Sequence, residues 1–302
     1  MKHNRNQLIN GTRGDRIYRA IALVLLLVVM IILIYPIWAV VVASFSDPKE
    51  LYQKTFLVWP TTATLDSYKL VFKDKDFLTG IFNSVCYTVV GTVVNVVLNI
   101  CGAYPLSKRN LKGKNFLMLM FTFTMFFSGG IIPTYILISN LHLLDNFWVM
   151  ILPSAVGMFN VIIMRTYFQT NIPQELEDAA SVDGCTNFRF LISVVLPLSL
   201  PIIVVIALYY GVGRWNDYFT AMMYLTKRNM YPLQLVLREI LLQNEAGKML
   251  NVATDAAYAD RMMSRMGLKY AVIVISTLPI LAIYPFVQRF FSKGIMVGAV
   301  KG

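Results

Sequence analysis

Six long stretches of the sequence contain no charged residue, and they constrain the possible folds more than any other feature. Each stretch runs for more than 18 residues without Asp, Glu, Lys or Arg. They cover residues 20–46, 77–107, 115–144, 146–164, 190–213 and 270–288. An α-helix rises about 1.5 Å per residue, so about 20 apolar residues cross a hydrocarbon core roughly 30 Å thick. The pattern therefore predicts an all-α integral membrane protein with six spanning helices.

The composition excludes several classes of protein. Hydrophobic residues make up 57% of the 302 residues and charged residues only 14%, whereas soluble domains carry about 25% charged residues. An ordinary water-soluble enzyme and a disordered chain are both excluded by these values. With so few charges, the net charge of +11 indicates membrane topology, and we expect membrane lipid and no nucleic acid as a partner. The first stretch is also too long for the apolar region of a signal peptide.

Basic residues in the short loops predict the orientation. Five basic residues and one acidic residue precede the first stretch, and the 108–114 loop holds four basic residues and no acid. The positive-inside rule then makes both termini cytoplasmic. The total number of basic residues on each side discriminates less well between the two orientations, with thirteen in the long outer segments and fourteen in the inner segments. Long loops, however, contribute little to the rule. The predicted organisation is a cytoplasmic tail 1–19, a transmembrane domain 20–288 with an inner loop 165–189 and an outer loop 216–268, and a cytoplasmic tail 289–302.

The inner loop between the fourth and fifth stretches predicts two short helices. Asn171 or a neighbour can cap the first helix, and Pro173 suits its first turn. Gly184 is a natural end, because glycine adopts the left-handed conformation without penalty. A second helix is predicted from Thr186 to Pro197. Two short helices joined at a glycine are suited to docking on another protein, although an ordinary capped surface helix fits the composition as well.

The amino-acid sequence of this loop resembles a known motif. The residues Asp178-Ala179-Ala180, then Asp183-Gly184-Cys185 and finally Leu196-Pro197 resemble the EAA loop of ABC-importer permeases. Asp178 replaces the usual Glu, Cys185 replaces an Ala, and Leu191 stands where Phe is common. In that family the loop is a coupling helix that sits in a cleft of the cytoplasmic ATPase. The resemblance implies that the ATPase-coupling residues include Glu177, Asp178, Ala179, Ala180, Asp183 and Gly184.

The C-terminal residues 294–302, Gly-Ile-Met-Val-Gly-Ala-Val-Lys-Gly, resemble the tail of maltose-type carbohydrate permeases. There the tail reaches the interface of the ATPase dimer, which implies the same role for Val300, Lys301 and Gly302. Together the two motifs imply a six-helix type I importer subunit in the plasma membrane of a prokaryote. They imply as partners a second permease, a cytoplasmic ATPase dimer and an extracytoplasmic solute-binding protein, with a sugar as the transported solute.

The chain itself offers no material for catalysis. It lacks the Gly-Lys-Ser/Thr loop that cradles phosphates, so ATP and Mg²⁺ are expected in the partner ATPase and no cofactor in this chain. His3 and His142 are isolated, which argues against a metal site, and the three cysteines are interpreted as small apolar fillers. No catalytic residue is predicted, and the chain is expected to be a transport subunit and not an enzyme.

One face of the second stretch is polar. On a helical wheel, Thr88, Thr92, Asn95 and Asn99 fall within about 40° of one direction, with Ser84 and Gly102 beside them. A polar stripe on a membrane helix must face protein or water, because unsatisfied amides in lipid are costly. Small polar residues also favour helix packing. For Asn95 and Asn99 a place on the transport route and a place in a packing seam therefore both remain open.

The third stretch contains Gly129 and Gly130 followed by Pro133. This combination predicts a break or kink. Broken membrane helices are tolerated where they line a cavity or are buried in protein, although a simple kink that improves packing fits the sequence too.

The end of the fifth stretch carries groups that suit a sugar. Trp215, Asn216, Asp217 and Tyr218 combine aromatic faces with amide and carboxylate hydrogen-bonding groups, and we predict them on the substrate pathway. An aromatic belt at the membrane interface is the alternative, and Arg214 and Asp217 have the spacing of a local ion pair.

Two rival functions follow from the same pattern. An ion-coupled secondary transporter predicts acidic residues at membrane depth, but the six stretches contain neither Asp nor Glu. A permease for another small solute remains the alternative within the family.

Overall fold

A computed structural model describes residues 13–53, 58–249, 267–286 and 288. This part of the chain is helical, and within it the only extended pairing is an isolated bridge between Ser46 and Ala63. The α-helices are α1 (Arg13–Phe45), α2 (Pro48–Gln53), α3 (Asp66–Lys73), α4 (Lys75–Ser107), α5 (Lys114–Phe126), α6 (Ile131–Asn140), α7 (Met158–Asn171), α8 (Gln174–Val182), α9 (Asn187–Phe190), α10 (Leu196–Leu198), α11 (Leu200–Trp215), α12 (Phe219–Tyr224), α13 (Leu233–Met249) and α14 (Gly267–Phe286). Short 3-10 segments cover Phe147–Met150, Leu152–Ser154 and Arg228–Met230, and a π-helical turn covers Leu191–Val195.

The chain divides into two compact units. The first comprises the described residues within 1–71 and 244–274, and the second comprises those within 72–243 and 275–302. In the first unit, the apolar part of α1 has a mean hydropathy of 3.2. The chain then folds back, since the Thr64 N–H donates to the Phe45 carbonyl at 2.8 Å. Glu50 of α2 holds the returning segment in place, because its carboxylate accepts from the backbone N–H groups of Thr61 and Thr62.

Helix α4 is the central element of the second unit, and it packs against α11 and α7. Its buried residues recur every three or four positions and therefore share one face. They include Phe77, Gly80, Ser84, Tyr87, Gly91, Asn95, Asn99 and Ala103. The glycines permit close approach: a Cβ on Gly80 would lie 3.3 Å from the Leu233 backbone, and a Cβ on Gly91 would lie 3.3 Å from Arg214 Nε.

In the described part of the chain, three unbroken helices are long and apolar enough to cross a membrane, namely Ile17–Phe45, Lys75–Ser107 and Gly267–Phe286. Three further candidates are helix pairs bent at a break, which gives up to six spans if each pair counts as one. The break predicted at Gly129-Gly130 is confirmed: α5 and α6 meet at 110°, and Gly130 has φ +85°. This positive φ explains the need for glycine at that position.

The other two bends were not predicted. The segment Phe147–Ser154 meets α7 at 58°, and the segment Asn187–Leu198 meets α11 at 81°. The stretch 190–213 is therefore not one straight span. Pro201 lies in the first turn of α11, where it has no backbone N–H to continue the hydrogen bonding of the preceding helix and its ring clashes with the carbonyl four residues back. The helical path consequently turns at Ser199.

Candidate functional site

The two short helices joined at Gly184 are present as predicted. Helix α8 ends with Asp183 as its C-cap, and Gly184 adopts φ +68°. Helix α9 begins after Thr186, whose hydroxyl accepts from the Arg189 N–H at 3.3 Å. The start of α8 differs from the expectation for Asn171, because α7 continues to that residue and Pro173 occupies the N-cap without a side-chain hydrogen bond.

Most of the motif residues on this pair are exposed. Asp178, Ala179, Asp183 and Gly184 are exposed, whereas Glu177 and Ala180 are half-buried. Large apolar side chains stand among them, with Val182 exposed by 88% and Phe188 by 70%. We call the exposed surface of α8, Gly184 and α9 the coupling surface. An exposed apolar patch with carboxylates beside it is typical of a protein-binding site.

A lysine that the sequence analysis used only for topology holds this surface to the rest of the unit. Lys108, which follows α4, forms an ion pair with Glu177 at 2.8 Å. Its ammonium also lies 4.7 Å from the centre of the Tyr104 ring and 4.9 Å from that of Phe190. The Tyr104 hydroxyl donates to the Asn187 carbonyl at 3.1 Å. Glu177 is thus engaged within the chain, while Asp178 beside it is free to meet a partner protein.

The predicted polar stripe of α4 lies in a buried network. Asn95 and Asn99 are both fully buried. The Asn99 amide donates to the Asn95 carbonyl at 2.9 Å and to the Tyr210 hydroxyl at 2.5 Å. That hydroxyl also accepts from the Gly157 N–H at 2.7 Å, immediately before α7. These contacts join α4, α11 and the start of α7, and they favour the packing alternative for the two asparagines.

Arg214 is the other member of this network, and its partners are not those that its spacing suggested. Its guanidinium donates to the Met150 carbonyl and to the Ile151 carbonyl at 2.7 Å. The side-chain amide of Asn95 is oriented so that its oxygen and its nitrogen both have a hydrogen-bond partner. The nitrogen donates to the Gly91 carbonyl at 2.9 Å, and the oxygen accepts from Arg214 at 3.2 Å. Arg214 is 6% exposed and does not form the ion pair with Asp217 that the spacing allowed, although both residues are described.

The four residues predicted near the end of α11 have different environments. Trp215 is buried, and its indole N–H donates to the Ser276 carbonyl at 2.9 Å. The Asp217 carboxylate accepts from the Thr220 N–H at 3.0 Å and so caps α12. Asn216 and Tyr218 are exposed. Two of the four side chains thus hold helices in position, and two are exposed, although the Asn216 amide donates to the Val212 carbonyl at 2.9 Å.

Some predicted residues cannot be placed. Val300, Lys301 and Gly302 lie outside the described residues. Within the described residues, no group of three or more His, Cys, Asp or Glu side chains is arranged to hold a metal ion.

Comparison with known proteins identifies the family. No family model matches the sequence. Protein LplC of Bacillus subtilis (strain 168) is 42% identical over 294 residues, which are 97% of this chain and 98% of the relative. The polygalacturonan/rhamnogalacturonan transport system permease protein YtcP of the same organism is 40% identical over 95% of this chain and 99% of its own length. The arabinooligosaccharides transport system permease protein AraQ of Halalkalibacterium halodurans is 28% identical over 90% of this chain and 92% of its own length.

A solved structure is similar over nearly the whole chain. It is a bacterial ABC transporter involved in the import of the acidic polysaccharide alginate, with a TM-score of 0.85 and 31% identity over 93% of this chain and 99% of that chain. The chain belongs to the permease subunits of carbohydrate ABC importers. Such subunits are transport components and not enzymes, in agreement with the expectation from the sequence.

Proposed function

We propose that this chain is a six-span, type I transmembrane subunit in the plasma membrane of a prokaryote, with both termini in the cytoplasm. Three unbroken apolar helices and three bent pairs support the number of spans. The basic residues of the 1–19 and 108–114 segments support the orientation.

The coupling surface is the observation that carries the proposed function. Its exposed face supplies Asp178, Ala179 and Asp183, with apolar Val182 and Phe188 beside them. We propose that a cytoplasmic ATPase dimer binds there and that the tail 289–302 reaches the same dimer. ATP and Mg²⁺ belong to the ATPase, and this chain binds no cofactor.

The proposed mechanism is alternating access. A second permease completes the pathway, and an extracytoplasmic binding protein delivers the solute. Closure of the ATPase dimer on ATP moves the coupling surface, and the pathway changes from inward-facing to outward-facing. Each partner shifts this equilibrium only by its differential affinity for the two states.

An oligosaccharide is the proposed solute, since YtcP and AraQ are named for the transport of polysaccharide and oligosaccharide. The proposed route region contains Asn95, Asn99, Trp215, Asn216, Asp217 and Tyr218. Within it, the exposed Asn216 and Tyr218 contact the sugar. The other four, of which Asn95, Asn99 and Trp215 are buried and Asp217 is half-buried, hold the helices that form the wall.

Charge reversal at the coupling surface tests the function. Removal of one partner of an interfacial charge pair costs about 2–5 kcal/mol, so Asp178→Lys is expected to lose most of the bound ATPase and most oligosaccharide uptake. The measurements are co-purification of the ATPase and uptake of labelled oligosaccharide in cells that express the whole complex. Asp66→Lys, at an exposed carboxylate of α3, is the matched control and should behave as the wild type. Normal ATPase binding and uptake in Asp178→Lys would contradict the proposal.

Cysteine labelling tests the orientation. In a chain with Cys86, Cys101 and Cys185 replaced, a cysteine at exposed Asp66 should react with an impermeant maleimide in intact cells. A cysteine at exposed Asn110 should react only after the membrane is permeabilised. The opposite pattern would invert the topology.

A further inference from the structure

One face of α11 exposes groups that are unusual on a lipid-facing helix. Tyr209, Gly213 and Asn216 are separated by four and three residues and therefore share a face. All three are exposed, Tyr209 by 56%. Phenol and amide groups on a membrane-spanning helix require water or protein as their neighbour, because lipid offers no hydrogen-bond partner.

The end of α11 lies level with the middle of α4. Gly91 is the central residue of the 33-residue α4, and the Arg214 side chain packs directly against it. The non-helical residues Asn216 to Tyr218 therefore follow at about this level. Broken helices near the bilayer midplane are tolerated where they line a solute cavity, which makes this break a candidate point of contact with the transported molecule.

At this break an arginine lies against an exposed tyrosine. The guanidinium carbon of Arg238 lies 5.7 Å from the centre of the Tyr218 ring, and Tyr218 is 42% exposed. Arg238 forms no ion pair with any carboxylate in the described part of the chain. The neighbouring Glu239 is instead directed to Arg228, at 3.5 Å.

Asp217, the acid next to Tyr218 in sequence, accepts from the Thr220 N–H and forms no ion pair with Arg238 in the described part of the chain. A guanidinium stacked on an aromatic ring keeps the N–H groups at its edge available. Those groups match a carboxylate in a two-point, parallel arrangement. Tyrosine rings also offer an apolar face against which the C–H face of a sugar can pack.

We propose that Tyr218 and Arg238 form a subsite for a carboxylated sugar unit, a uronate, on the transport route. The proposal rests on the proposed function as a carbohydrate permease and specifies the class of sugar. Arg238 binds the carboxylate and Tyr218 packs against the pyranose. The six charge-free stretches contain no acid, and the two acids beside the subsite in sequence have other partners: Asp217 accepts from the Thr220 N–H and Glu239 lies 3.5 Å from Arg228.

The test compares one sugar in two charge states. Radiolabelled trigalacturonate and its neutral trimethyl ester are titrated by equilibrium dialysis against the whole complex of both permeases and the ATPase in nanodiscs, without the external binding protein. Arg238→Gln is expected to raise the Kd for the acid about tenfold, which equals about 1.4 kcal/mol, and to leave the Kd for the ester within about twofold. Arg238→Lys, which keeps the charge but loses the planar fork, should fall between wild type and Arg238→Gln.

Controls separate recognition from packing. Tyr218→Ala removes the ring and should weaken the binding of both sugars. Lys227→Gln removes an exposed cation that has no aromatic partner and should leave both constants unchanged. An equal effect of Arg238→Gln on the acid and the ester, no effect on either, or no saturable binding of the acid to the wild type would overturn the subsite.

Uptake by the wild-type complex distinguishes a failure of the subsite from a failure of the proposed function. If cells import oligosaccharide while Arg238→Gln shows no preference between the two sugars, the subsite fails and the carbohydrate permease stands. If the wild type imports no labelled oligosaccharide at all with its binding protein present, the proposed oligosaccharide transport fails, and the subsite fails with it.

Discussion

Replacement of Arg214 by Met tests whether the buried network holds the second unit together. The guanidinium donates to the carbonyls of Met150 and Ile151, and water does not reach this site because Arg214 is only 6% exposed. Methionine keeps much of the apolar stem but no donor, so two buried carbonyls lose their partners. Each unsatisfied buried group costs about 1–3 kcal/mol.

The gross loss is therefore about 2–6 kcal/mol. Part of it is offset, because the variant no longer buries a charge, and burial of an ion carries a penalty of several kcal/mol. We expect the net effect near the lower end, at about 2 kcal/mol, which corresponds to a fall of about 4–8 °C in the melting temperature. The measurement is thermal unfolding of the purified complex in detergent, followed by size-exclusion fluorescence.

Two controls test the reasoning. Arg214→Lys keeps the charge but cannot reach both carbonyls with a planar fork, so it should also melt early. Asp217→Asn removes the acid at ion-pair spacing but keeps a side-chain oxygen that can accept from the Thr220 N–H, so it should melt within about 1 °C of the wild type. A stable Arg214→Met or an unstable Asp217→Asn would refute the assignment of the carbonyls as the partners of Arg214.

Three further outcomes are expected. A Cβ on Gly184 meets nothing within 4 Å, so Gly184→Val should cost about 1–2 kcal/mol through its backbone alone and reduce ATPase co-purification, whereas Gly184→Asn should retain it. Lys108→Met and Glu177→Gln should each lower the free energy of unfolding by about 0.5 kcal/mol, because the ion pair is partly exposed. Both variants should still bind the ATPase but should transport less sugar for each ATP hydrolysed. Hydrogen bonds from Thr226 hold the pKa of Asp145 below its ordinary value of 3.8, so the folded state binds fewer protons than the unfolded state. The stabilising contribution of the Asp145 carboxylate is then present above about pH 3.8 and is lost as the pH falls below that value. The melting curves of wild type and Asp145→Asn should therefore converge below that pH.

Local backbone chemistry made several elements predictable. The positive φ angles at Gly130 and Gly184 are conformations that glycine adopts at little cost, and both positions were assigned from residue type and neighbours. The shared face of Asn95 and Asn99 followed from helical period alone. Each of these features depends on residues within a few positions in the sequence.

The partners across the fold were not predictable in the same way. Arg214 donates to carbonyls more than sixty positions away, and a backbone carbonyl carries no signal in the sequence. The spacing of Arg214 and Asp217 suggested a contact that the folded chain does not make. Lys108 could have been found as a partner of α8 only from the distance between the end of α4 and α8, which depends on the tertiary fold and not on nearby sequence.

Helix α4 connects the proposed sites, and its contacts determine where the second unit can bend. Its C-terminal end is tied to α9 through Tyr104, and its middle is tied to α11 through Asn99 and Tyr210. Near its other end, the Ser84 hydroxyl accepts from the Leu233 N–H at 2.8 Å. Hydrogen bonds inside a membrane are not replaced by water when they break, so sliding of α4 past α11 carries a high cost. We therefore expect α4, α11 and the start of α7 to move as one body during transport. The conformational change then falls on joints without such ties. The 110° turn at Gly130 is one of them, since a Cβ placed there meets no neighbour within 4 Å.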